Sequence, residues 1–201
     1  MKSYRQYCGV ARALDLVGQR WSILLVRELL PGPRRFTDLL LPGLTPNVLS
    51  TRLRELEAAG LVASVALPPP ARMAWVLTEA GRRLKPVVLA LGAFGAAYLD
   101  APEPDDVVSS RWFVVSLQRR YRGLLDGVRV QLWIDGVPYQ LGFVKGRLDA
   151  RDGEALDAEV TVRGTFGGMA AALSARPSGA SLEVVGDRAL WEAVHAGFAV
   201  G

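Results

Sequence analysis

The chain has 201 residues, a formal net charge of +4, half its residues apolar, one cysteine and one histidine. That is enough to fill one large core or two of about 100 residues each, and a lone thiol excludes an internal disulfide or a cysteine metal cluster. No apolar run reaches the roughly 18 residues of a membrane span, and the opening MKSYRQY lacks the apolar stretch of a signal peptide, so a soluble cytoplasmic protein with no membrane partner is expected.

Val10, Leu14 and Val17 form a helical stripe that ends at Gly18. Trp21, Leu24, Leu25 and Glu28–Leu29 form a second, which stops at Pro31-Gly32-Pro33. Phe36, Leu39 and Leu40 predict a third, short helix, followed by the turn Pro42-Gly43. A fourth begins at Pro46, because Thr45 can cap it and proline suits a first turn that leaves its amide unpaired. Along it Leu49, Leu53 and Leu56 make an apolar stripe, while Asn47, Ser50, Thr51 and Arg54 share the opposite side with Arg52 beside them. Short hydrogen-bonding side chains and arginine on one side of a half-buried helix are what reading a DNA major groove requires. Gly60 ends this helix. Residues 61–67 predict a strand, Pro68-Pro69-Pro70 breaks it, and residues 72–77 predict the return strand, with Arg72 near the hairpin tip. Helix, turn, helix and hairpin in that order make a winged helix-turn-helix.

Thr78 caps a predicted helix from Glu79 to about Leu99, bent at Pro86, with Leu84, Val87, Val88, Leu91, Phe94 and Tyr98 as its apolar positions. Gly92, Gly95, Ala96 and Ala97 would let a second helix approach, so this element is expected to pair with its copy in a homodimer. Two recognition helices would then address a palindromic operator on double-stranded DNA. Charge agrees. Residues 1–104 hold 13 Lys and Arg against 8 Asp and Glu, a balance of +5, whereas residues 105–201 hold 11 against 12.

The run CGVARALDLVGQRWSILLVRELLPGPRRFTDLL, followed by LTPNVLSTRLRELEAAGLV and LTEAGRRLKPVVLALGAF, resembles the HxlR-type winged-helix transcription regulators over about residues 5–100. The resemblance implies a homodimeric DNA-binding repressor or activator, with the recognition helix beginning at Thr45 and Arg72 in the wing. On that basis Thr45, Asn47, Ser50, Thr51 and Arg54 face the DNA from the helix, and Arg34, Arg35, Arg52 and Arg72 hold phosphates. Many relatives carry Gln-Arg after the capping residue where this chain has Pro46-Asn47, so no operator sequence carries over. In some relatives a cysteine placed like Cys8 senses oxidants, and Arg5 or Arg12 nearby would lower its pKa. The alternative is a small side chain buried at a dimer interface.

Pro102-Glu103-Pro104-Asp105-Asp106 has the composition of a linker, which divides the chain into residues 1–101, 102–106 and 107–201. Residues 111–117 fit either a helix or a strand. Strands are predicted at 128–134 and 139–144, joined by the Asp135-Gly136 turn, and then at 147–151 and 157–163. A helix over 165–174, a strand over 180–187 and a closing helix over 188–198 complete the reading. This meander resembles the sterol carrier protein type 2 domain over residues 105–201, through DGVPYQLGFVKGRL, the DAEVTV strand and LEVVGD before the last helix. The resemblance implies a cavity for a small apolar effector, lined by Trp112, Trp133, Leu141, Phe143, Phe166, Met169, Leu173, Trp191 and Phe198; ordinary core is the alternative for each.

Catalysis finds no support. His195 and Cys8 lie at opposite ends of the chain, and Asp149, Asp152, Glu154, Asp157 and Glu159 surround Gly153 as a turn would. Gly167-Gly168 is not followed by the lysine of a phosphate loop. No cofactor, metal or enzyme activity is expected. The fold class is α+β, a winged helix-turn-helix followed by an antiparallel sheet covered by helices. The expected function is a dimeric transcription regulator, a repressor in the first instance, with an effector domain. The alternatives are an apolar small-molecule carrier, and a regulator whose second domain serves only dimerisation.

Overall fold

A computed structural model describes residues 3–68, 73–101, 103–173 and 181–199. The chain divides into two compact units, Met1–Val107 and Val108–Gly201.

The first unit opens with α1 (Gly9–Val17) and α2 (Ser22–Leu29). Trp21 belongs to no helix: it precedes α2 with φ 82°, a left-handed conformation that is strained for a tryptophan. The predicted third helix is a single 3-10 turn, Thr37–Leu39. The helix α3 (Pro46–Ala58) starts at the expected cap, Thr45 Oγ1 accepting from the Val48 amide at 3.5 Å, with Pro46 in its first turn. Leu49, Leu53 and Leu56 are fully buried, and α3 packs against β1 (Val62–Ala66) and α1. β1 pairs antiparallel with β2 (Met73–Leu77), Val62 opposite Leu77. Arg34 adds a third edge, exchanging backbone hydrogen bonds with Trp75 at 3.0 and 2.7 Å. The tip of this wing, Pro69 to Arg72, lies outside the described residues.

The helix expected over 79–99 is two helices, α4 (Glu79–Arg82) and α5 (Lys85–Ala96). Pro86 does not bend a continuous helix; it sits in the first turn of a new one, where it costs no hydrogen bond. The break before it has a packing cause, since Gly81 rests on the Leu61 carbonyl with no room for a Cβ. Thr78 fixes this corner: its hydroxyl donates to the Gly60 carbonyl at 2.6 Å and accepts from the Gly81 amide at 3.0 Å.

In the second unit residues 111–117 are helical, within α6 (Ser110–Arg120). Then come β3 (Arg129–Ile134), β4 (Val137–Val144), β5 (Arg147–Asp152), β6 (Val160–Gly164), α7 (Phe166–Ala172), β7 (Glu183–Gly186) and α8 (Arg188–Ala199). The sheet order is β5-β4-β3-β6-β7, and β6 runs parallel to β3. The expected antiparallel sheet is therefore mixed. The chain leaves the edge strand β5 and returns beside β3 in the same direction, which alternation along one strand cannot reveal. Val130, Leu132 and Ile134 of β3, Leu141 and Phe143 of β4, and Val160 and Val162 of β6 point to one side. There they form a single core with Val114 and Leu117 of α6, Met169 of α7, and Trp191, Val194 and Phe198 of α8.

Candidate nucleic-acid interface

The solvent side of α3 carries Asn47 and Arg54 exposed, with Ser50 and Thr51 half-buried between them. Thr51 Oγ1 donates to the Asn47 carbonyl one turn back at 2.9 Å, which leaves its lone pairs free to accept. Among the described residues Arg54 makes no ion pair, so its five donors face outward uncommitted.

The neighbouring arginines are different. Arg35 grips Asp38 through Nε and Nη2, both at 2.9 Å. That fork raises the Arg35 pKa and holds the Asp38 carboxyl below its usual range. Arg52 turns along its helix to Glu55, and its Nε is buried without a partner. Arg34 is half-buried, tied through its backbone to the wing. Arg72, expected in the wing, lies outside the described residues.

Sequence reading assigned Arg20 no role. Its guanidinium lies 5.1 Å from the Trp21 ring centroid, a cation–π distance, and a side chain at Gly43 would touch that ring at 3.7 Å. An exposed arginine is thereby stacked beside the turn that leads into α3. The Arg-Trp pair was visible in the sequence, but the left-handed backbone that swings the ring onto Gly43 was not.

Cys8 is exposed and stands at the N-terminus of α1. The backbone amides of Ala11 and then Val10, at the open end of the helix, lower the thiol pKa. Helix amides do here what Arg5 or Arg12 was expected to do. In the second unit Leu141, Phe143, Met169, Leu173, Trp191 and Phe198 lie in the core and Phe166 packs against it. Trp112 is half-buried, and Trp133 sits on the opposite side of β3 from Leu132 and Ile134, with Arg163 5.9 Å from its ring. Among the described residues no helix is long and apolar enough to cross a membrane, and no group of His, Cys, Asp and Glu is arranged to hold a metal.

The model of the HxlR-like helix-turn-helix family matches residues 16–103. An uncharacterized HTH-type transcriptional regulator of Synechocystis is 38% identical over 96 residues, covering 46% of this chain and 71% of that protein. The chain belongs to the HxlR-like helix-turn-helix family. A second relative, the uncharacterized HTH-type transcriptional regulator YdeP of Bacillus subtilis, is 36% identical over 96 residues, covering 46% of this chain and 75% of YdeP. Among solved structures the redox regulator HypR in its oxidized form is 34% identical, with a TM-score of 0.44, over 47% of this chain and 100% of HypR. HxlR-like proteins are DNA-binding transcriptional regulators and not enzymes. The family match ends at residue 103, so the second unit lies outside it.

Proposed function

We propose that this chain is a homodimeric, sequence-specific transcription regulator, a repressor in the simplest case, that binds a palindromic operator on double-stranded DNA. The carrying observation is α3 itself: capped at Thr45, buried on one side, and presenting Asn47, Ser50, Thr51 and an uncommitted Arg54 on the other. These four face base edges in the major groove. Thr45, Arg34, Arg35, Arg52 and Arg72 face phosphates; the exposed Arg35 exchanges Asp38 for one at little cost, and the half-buried Arg52 reaches one from its place beside Glu55. A gel shift on the DNA flanking the coding region, at two salt concentrations, tests this reading. Specific binding that Arg54→Ala and Asn47→Ala leave unchanged sinks it.

Homodimerisation is supported by the apolar side of α5, where Val87, Leu91 and Phe94 are exposed, continued by Tyr98 and Leu99. Sedimentation showing only monomer at micromolar concentration excludes the dimer.

For the second unit, residues 107–201 after the linker 102–106, the resemblance to sterol carrier domains supports binding of a small apolar effector between sheet and helices. An effector shifts the placement of the two recognition helices only if it binds the two arrangements with different affinity. A second reading has its own observation. Six of the nine cavity candidates are packed into one core, which favours a filled interior and a unit that serves dimerisation alone. Mass spectrometry of the purified protein separates them, since a retained apolar compound supports the effector pocket. A carrier with incidental DNA contact is indicated if such a compound is found and no specific operator exists.

A further inference from the structure

The side of the five-stranded sheet away from the core has a feature that neither the DNA reading nor the apolar interior uses. A cleft of about 270 Å³ opens there, between β3, β4 and β5. Its floor is Gly142, where an added Cβ would meet nothing within 4 Å. In the strand register Gly142 lies between Arg129 on β3 and Asp149 on β5, and Arg151 lies opposite Gln140. All five line the cleft, with the exposed Val144 at one end. Glycine inside a strand weakens the sheet, and it marks places where another group approaches the backbone closely.

Charged side chains line the same gap. Arg129 and Arg151 against Asp149 leave the lining with one positive charge in excess. Arg129 is paired with Asp157 at 2.5 Å and Arg151 with Asp149 at 2.7 Å, and all four side chains are 42–69% exposed. Such exposed pairs are weak and exchange partners readily. Gln140, by contrast, is fixed, because its amide donates to the Glu154 carbonyl at 3.0 Å. The cleft thus has a rigid wall, a bare backbone floor, and two guanidinium groups able to turn inward across a span of about 10 Å between their strands.

We propose that this cleft binds a small organic carboxylate, with its carboxylate held by Arg129 and Arg151 and its flat apolar body lying on Gly142. The planar guanidinium fork matches a carboxylate bidentately, which a point charge cannot do. The volume falls just below the roughly 300 Å³ at which drug-sized pockets begin, so the occupant is compact. The site lies on the opposite side of the sheet from the core, and filling it requires no rearrangement of the apolar interior.

Benzoate titrated into the full-length protein at low salt, followed by calorimetry and ligand-observed NMR, tests the site, with inorganic phosphate as a second probe. The expected result is saturable benzoate binding in the millimolar range, as suits so small a ligand. It should be about tenfold weaker or more in Gly142→Leu, which fills the floor, and in Arg151→Gln, which removes one fork. Both variants should keep the wild-type circular dichroism spectrum and operator affinity, so failure here is distinguishable from failure of the DNA reading. If Gly142→Leu does not fold, Arg151→Gln decides. Absence of saturable benzoate binding, or equal binding by wild type and folded variants, overturns the proposal. Phosphate binding as tight as benzoate with the same variant dependence overturns the carboxylate assignment.

Discussion

Helices α5 and α8 are each twelve residues long and each rich in apolar side chains, yet they come to rest in opposite situations. In α8, Trp191, Val194 and Phe198 are buried in the core of their own unit, where Phe198 meets Tyr121 edge-on at 5.3 Å. In α5 only Val88 is buried, while Val87, Leu91 and Phe94 are 45–69% exposed. Charge follows the same division. Arg111 of α6 is buried against Asp152, whereas Arg54 of α3 has no ion pair among the described residues. The helices of the second unit spend their side chains on their own fold. The first unit leaves an apolar side and a polar row open, the kind of surface that partners cover in other proteins.

The largest expected effect breaks the closed half. Trp191→Ala should cost about 3–5 kcal/mol of folding stability in chemical denaturation; a loss below about 1 kcal/mol would mean that α8 is not part of the core. Next, Leu91→Asp combined with Phe94→Glu should convert dimer to monomer in sedimentation and weaken operator binding about 100-fold, because the second half-site is no longer tethered. Unchanged sedimentation would remove α5 from the interface.

Arg54→Ala should lose about 1–3 kcal/mol of discrimination at one operator position, read by competition between operator and mutated operator. Asp38→Asn has the smallest effect and sharpens the contrast between free and committed arginines. Releasing Arg35 should steepen the salt dependence of DNA binding by about one phosphate contact. It should cost under about 1 kcal/mol of stability. The sign with pH is fixed by the depressed Asp38 carboxyl: the pair stabilises the fold fully above the ordinary carboxylate range, and this contribution is lost as pH falls from that range through the lowered Asp38 value. In Asp38→Asn that part of the acid dependence should vanish from denaturation curves.

Local chemistry was legible in the sequence, and distant pairing was not. Thr45 and Pro46 announced the start of α3, and the spacing of Leu49, Leu53 and Leu56 announced its buried side, because caps and periodicity act within a few residues. The Asp135-Gly136 turn placed β3 beside β4 for the same reason; both residues have positive φ. The parallel pairing of β3 with β6 escaped, since Val160 and Val162 reveal which side they face but not which strand they adjoin. The break at Gly81 escaped because its cause, the Leu61 carbonyl, lies twenty residues earlier. In the candidate site, sequence spacing grouped Asn47, Ser50, Thr51 and Arg54. It could not separate the unpaired Arg54 from Arg52, which lies two positions away and is held by Glu55.

The hydroxyl of Thr78 joins the two open surfaces of the first unit. It is bonded at once to the carbonyl that follows α3 and to the first turn of α4, which leads directly into α5. Two hydrogen bonds and a glycine seated against a carbonyl thus tie the end of α3 to the start of α4. If two copies pair through α5 as proposed, a rotation at that seam reaches α3 through this corner. Half-site spacing on the DNA would then act as a gauge of how α5 is held.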